Sequence, residues 1–117
     1  MPLSPPGVHL FYHSRWQNTR ELDELCWGLE EQGVPCQARC CDESTSALTL
    51  SKRAAKSSAL RVGLGLNATG DIALTHAQLP NDRALIRGHI AAGVTQIRTL
   101  GANAGQLVKV LPFSEIT

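Results

Sequence analysis

A chain of 117 residues with 11 basic and 10 acidic side chains and a net charge of +1 is sized for one domain that buries roughly 65% of the surface its unfolded form exposes. Charges this evenly mixed leave no electrostatic footprint for nucleic acid or an anionic membrane. The apolar runs are short and "MPLSPPG" has neither a charged lead nor an apolar signal core, so a soluble cytoplasmic protein is expected.

The first element is "VHLFYH" (8–13), a β-rich run bounded by "SPPG" and read as a strand. Asn18 is positioned to cap a helix whose third residue is Glu21, a variant of the capping box. Leu22, Leu25, Cys26 and Leu29 follow at helical spacing, and Gly33 ends the helix. "VPCQARCC" (34–41) reads as a second strand and "TSALTLSKRAAKSS" (45–58) as a second helix with small apolar residues. In "LRVGLGLN" (60–67), Leu60, Val62, Leu64 and Leu66 point one way, while Gly63 and Gly65 leave the other face open to close packing, as a central strand requires.

"NATG" and then "DIALTH" (71–76) give a tight turn and a fourth strand, antiparallel to the third. "ALIRGHI" (84–90) is a weaker fifth strand. From Val94 on, Ile97, Leu100, Ala104, Leu107, Val108 and Leu111 keep helical spacing until Pro112, despite Gly101 and Gly105. Alternation of strand and helix implies parallel pairing with right-handed crossovers. The expected fold is a three-layer α/β/α domain, its mixed five-stranded sheet in the order 2-1-3-4-5 with strand 4 antiparallel. A ligand in such a sheet would normally lie at the switch between strands 1 and 3.

Self-sufficient catalytic chemistry is hard to find. "GLGLNATG" (63–70) lacks the Lys-Ser/Thr of a phosphate loop and runs into a strand, so no helix N-terminus faces an anion. His76 and Asp71 fall on opposite faces of one strand, which favours a surface or hairpin-end histidine over a general base. His9, His13 and His89 have no carboxylate or cysteine at ligand spacing, and no nucleophile motif such as G-x-S-x-G occurs. Cys26, Cys36, Cys40 and Cys41 form no C-x-x-C pair, and Cys26 lies on an apolar helical stripe, so free thiols are expected.

The first helix carries the more informative pattern. Glu30 and Glu31 occupy its last turn, where the unpaired carbonyls make each acid cost about 0.3–1 kcal/mol, so a compensating positive charge is expected. Opposite the buried stripe lie Arg20, Glu24, Trp27 and Glu31, which turns Trp27 outward. An outward tryptophan flanked by acids one turn away on each side is the pattern of an interface anchor beside a charged contact. The bland alternative covers Trp27 with a neighbouring loop and leaves the acids solvated.

Four blocks, "LSPPGVHLFY" (3–12), "ELCWGLEEQGVPCQ" (24–37), "LRVGLGLNATGDIALTHAQLP" (60–80) and "RTLGANAGQLVKVLP" (98–112), resemble the small subunit of the glycerol and diol dehydratase reactivating factors. The resemblance runs essentially end to end, is weaker across 38–58 and 81–96, and implies one reactivase small-subunit domain over 1–117. It implies a fold similar to the dehydratase medium subunit and a chaperone-like role without catalysis of its own. In that family two large and two small subunits release damaged cobalamin from inactivated adenosylcobalamin-dependent dehydratase. The large subunit resembles actin and Hsp70-type ATPases and alone carries ATP or ADP, while the small subunit binds no cobalamin. The implied mechanism is subunit exchange, in which the small subunit leaves its large partner and the large subunit takes hold of the dehydratase at the equivalent surface.

The resemblance also implies that Glu31 completes the coordination of a Mg2+ ion held by the large subunit at their interface, with Arg20 and Trp27 as flanking contacts. Carboxylate oxygen suits so hard an ion. Glycerol dehydratase is favoured over diol dehydratase as client, and association with a bacterial microcompartment is left open. Two alternatives remain at this point: a structural medium-type subunit of a dehydratase, for which the chain is short, and a small independent α/β enzyme built on His76 or the glycine-rich turn.

Overall fold

The computed structural model describes residues 6–80 and 82–110. In chain order it forms β1 (Val8–His13), α1 (Arg20–Glu31), β2 (Cys36–Cys41), α2 (Ala47–Ser57), β3 (Val62–Leu66), β4 (Asp71–His76), β5 (Ile86–His89) and α3 (Val94–Val110). Single 3-10 turns at Ser14–Trp16 and Ile90–Ala92 lead into α1 and α3. The sheet order is β2-β1-β3-β4-β5, with β1 parallel to both β2 and β3 and with β4 antiparallel to β3 and β5. This is the expected topology, and each expected strand and helix is present with ends shifted by at most two residues where both ends are described. Leu111 and Pro112, expected at the end of the last helix, lie outside the described residues, as do Leu3 to Pro5 of the first resembling block.

Helix α1 begins one residue later than the capping-box reading placed it. Thr19, not Asn18, is the N-cap, its side chain accepting from the Leu22 amide. Asn18 instead adopts φ +64°, a left-handed position that asparagine tolerates better than most residues. At the other end Gly33 stops the helix as expected. Its φ of +77° suits a residue without Cβ, and the Gly33 and Val34 amides return to the carbonyls of Glu30 and Leu29.

The sheet separates α2 from α1 and α3. On β3, Gly63 and Gly65 face α2 so closely that an added Cβ would lie 2.2 Å from the Ala55 nitrogen and 2.1 Å from the Ala47 carbonyl oxygen. The alternation thus turns Val62, Leu64 and Leu66 to the opposite face, where they share one core with Leu10, Leu22, Leu25, Leu29, Ile97 and Ala104. The hairpin from β3 to β4 is fastened by Asn67, whose Oδ1 accepts from the Asp71 amide at 2.9 Å, and Gly70 turns it at φ +93°.

Candidate partner interface on helix α1

Helices α1 and α3 cross in direct backbone contact. A Cβ on Gly28 would stand 2.3 Å from the Arg98 carbonyl oxygen, and one on Gly101 would stand 2.3 Å from the Leu25 carbonyl oxygen. The approach follows from the stripe Ile97, Gly101, Ala104, Gly105 and Val108 that α3 buries. It also lays the side chain of Arg98, next to Ile97 on α3, along the flank of α1.

Arg98 supplies the positive charge that the acids at the end of α1 called for. Its Nη1 donates to Glu24 Oε1 at 3.0 Å, and its Nη2 donates to Glu31 Oε2. Glu24 and Glu31 stand seven residues apart, two turns on one side of the helix, so one guanidinium bridges both. Its central carbon sits 5.7 Å from the ring centroid of Trp27, which lies between the two acids. Its hydrogen bonds to Glu31 and Glu24 hold the Arg98 guanidinium even more firmly protonated than usual.

The four residues expected to share the outer face of α1 divide between two environments. Trp27 is 46% exposed, and the side chains of Arg20 and Glu31 are 72% and 50% exposed. Glu24 is not outward: it is 5% exposed, closed in between Arg98 and Arg20, whose Nε lies 3.4 Å from Glu24 Oε2. A wheel drawn for one buried stripe misses the second contact surface that α3 creates on the flank of α1. The hydrogen bond from Arg98 is the main reason the Glu24 carboxyl titrates below its ordinary range, the Arg20 contact adding to it against the opposing effect of burial. Glu30 is exposed, outside the Arg98 bridge. The resulting surface has an aromatic ring at its centre, a half-exposed carboxylate at one end and a guanidinium at the other.

The other polar residues do not converge. His76 stands at a hairpin end, one of its two expected places, because it is the last residue of β4 before the turn to β5, but it is buried at 7% exposure rather than at the surface. It closes β4 beneath the turn that follows, and its Nδ1 accepts from the Gln78 amide at 3.0 Å. Burial and the nearby charges of Arg61 and Lys52 lower its pKa. His89, judged to lack a carboxylate at ligand spacing, pairs across the β4/β5 ladder with Asp71, Nε2 lying 3.8 Å from Oδ1. Neighbouring strands bring together residues that linear spacing separates. Among the described residues no group of three histidine, cysteine or acidic side chains could hold a metal ion, and the four cysteines are free thiols as expected.

The sequence profile of the dehydratase medium-subunit family matches residues 5–114. The probable glycerol dehydratase-reactivating factor small subunit of Citrobacter freundii is 82% identical over 116 residues, covering 99% of each chain. The chain belongs to this family of reactivating-factor small subunits. A solved glycerol dehydratase reactivase chain superposes with a TM-score of 0.85 at 60% identity, over 97% of this chain and all of that one. A chain of the diol dehydratase-reactivating factor, solved in complex with ADP and Mg2+, superposes with a TM-score of 0.79 over 94% of this chain and 98% of its own. At 24% identity this second likeness speaks to the fold alone.

Proposed function

We propose that residues 1–117 form the single domain of a non-catalytic reactivase small subunit, which docks on an ATPase large subunit through the exposed flank of α1. Two large and two small subunits make the working factor. It releases damaged cobalamin from inactivated glycerol dehydratase, or its diol counterpart, by exchanging this subunit for the dehydratase surface of similar fold. ATP and ADP stay on the large subunit, and cobalamin stays on the dehydratase. The factor works in the cytoplasm. No described helix is long and apolar enough to cross a membrane. The observation that carries the reading is the surface on α1, where Trp27 stands exposed between a buried and a half-exposed glutamate held by Arg98.

Glu31 fits the part of a single shared ligand. Its carboxylate is half exposed at the tip of α1, and among the described residues no group of three or more histidine, cysteine or acidic side chains gathers to hold an ion. One carboxylate cannot hold Mg2+ by itself, because the ion keeps near-octahedral oxygen coordination, so the remaining ligands belong to the large subunit. When bound there, the ion joins the two subunits by attraction to the Glu31 carboxylate. Arg20 and Trp27 flank the contact, Arg20 as an exposed charge at the rim and Trp27 as the ring that loses most water on docking.

Native mass spectrometry of the chain with a reactivase large subunit, with and without Mg2+, tests this reading. The wild type forms a complex that Mg2+ strengthens, and Glu31→Ala removes that dependence. Glu31 pairs with Arg98 only at the surface, where such pairs contribute about 0–1 kcal/mol, so Glu31→Ala keeps nearly its full thermal stability. A complex indifferent to both Mg2+ and Glu31 would sink the metal role, and absence of any complex would sink the assignment of the partner.

A further inference from the structure

The thiols of Cys26 and Cys36 meet where α1 packs on the edge strand β2. The Cys36 thiol donates to the Cys26 sulfur at 2.9 Å, in a partly buried contact. That hydrogen bond, reinforced by burial and by the charges of Cys26 and Glu30, pushes the Cys36 thiol far above its ordinary range and keeps it protonated. Cys26 is the acceptor of the pair. A sulfur that accepts from a neighbouring thiol has the arrangement of a nucleophile beside its resolving partner. The two sulfurs need to close by only roughly 0.9 Å, from 2.9 Å to the ~2.05 Å of a disulfide.

The other cysteines are placed so that they do not compete. Register pairs Val8 with Cys36 and Tyr12 with Cys40, so both cysteines lie on the sheet face that carries α1, yet four residues separate them, roughly 13 Å along a strand. Cys41 points to the opposite face by strand alternation.

We propose that Cys26 and Cys36 form a reversible oxidation site, closed to an intrachain disulfide by hydroperoxides. The Cys26 thiolate attacks one peroxide oxygen, breaking the O–O bond and giving a sulfenic acid, with the leaving oxygen departing as water after it takes up a proton. The Cys36 sulfur then displaces the sulfenic hydroxyl, which leaves as a second water with the Cys36 proton. Two thiols and one hydroperoxide thus yield one disulfide and two waters, or one water and an alcohol for an alkyl hydroperoxide. The bridge ties the middle of α1 to the first residue of β2 and closes a ring containing Trp27, Glu31 and the turn at Gly33, so oxidation staples the segment that carries the exposed interface residues.

The test treats the reduced chain with hydrogen peroxide, alkylates the remaining thiols and maps them by peptide mass spectrometry. The expected product is a monomer lighter by two hydrogens, with Cys26 linked to Cys36, with Cys40 and Cys41 still alkylated, and with full reversal by dithiothreitol. Cys40→Ser with Cys41→Ser leaves that product unchanged, while Cys26→Ser or Cys36→Ser abolishes it. Four alkylated thiols after peroxide, a bridge to Cys40 or Cys41, an intermolecular dimer as the main product, or Cys26 over-oxidised to sulfinic acid would each overturn the proposal.

Discussion

Replacing Gly28 by alanine probes the contact on which the α1 surface is built. The new Cβ would stand 2.3 Å from the Arg98 carbonyl oxygen, 2.7 Å from the Ala102 nitrogen and 2.9 Å from the Gly101 carbonyl carbon. All three are backbone atoms of α3, so no side-chain rotation relieves the overlap, and the helices must part by roughly an ångström to regain ordinary contact. Overpacking of this kind costs about 1–3 kcal/mol, while alanine returns up to about 1 kcal/mol through its better helix propensity. A contact with rigid backbone lies in the upper part of the range, which leaves a net loss of about 1–2 kcal/mol. For a domain of this size that is a fall in thermal midpoint of about 4–8 °C, readable by circular dichroism. Gly101→Ala, with its Cβ 2.3 Å from the Leu25 carbonyl oxygen, destabilises in the same direction. The double variant loses less than the sum, because both substitutions push the same two helices apart. A Gly28→Ala protein as stable as the parent or more so would refute the close crossing, and with it the placement of Arg98 against Glu24 and Glu31.

Other expectations are more local. Thr19→Ala removes the cap on the Leu22 amide and costs about 1 kcal/mol, whereas Asn18→Gly at a left-handed φ is neutral or slightly stabilising; urea unfolding of the two variants separates these cases. The lowered pKa of buried His76 fixes a sign for pH dependence. The unfolded imidazole, with its ordinary pKa of about 6.5, takes up protons more readily than the folded one, so stability contributed by His76 is complete above that pH. It drains away as pH falls from about 6.5 through the lower folded value. Urea midpoints measured in steps of pH for wild type and His76→Gln check this: the wild type loses stability on acidification more steeply than the variant. Equal slopes would exclude His76 as the source.

The sheet order was legible because alternation of strand and helix implies parallel neighbours across crossovers, and because β3 and β4 carry local signals. The glycines of β3 mark a face that only a close helix can cover, and the turn ending in Gly70 forces β4 back alongside β3. Half of the α1 surface was legible for the same reason: helical spacing turns Trp27 and Glu31 outward, and both are exposed. What the spacing cannot supply is the partner of those acids. Arg98 lies 67 and 74 residues along the chain from Glu31 and Glu24, and it reaches them only because Gly28 and Gly101 let two helices touch. The same omission misplaced Glu24, whose burial is imposed by α3 rather than by the sheet. The position of His76 at a hairpin end was legible, but its burial was not, because a strand end looks exposed in sequence, whereas the turn after β4 closes on it through the Gln78 amide and the Lys52 ammonium reaches its carbonyl oxygen at 3.0 Å. The cap shifted by one residue because Asn18 and Thr19 are both good capping residues, and the backbone turn at Asn18 decided between them.

The central claim is that the exposed flank of α1 is the face that meets the large subunit. Amide hydrogen exchange of the chain, alone and saturated with a reactivase large subunit in Mg2+, tests it most directly. Protection that appears on binding in the segment around Trp27 to Gly33 and the facing first turns of α3, and fades with Glu31→Ala, is the predicted result. Protection confined to α2 or to the β5 edge, with α1 unchanged, would contradict it.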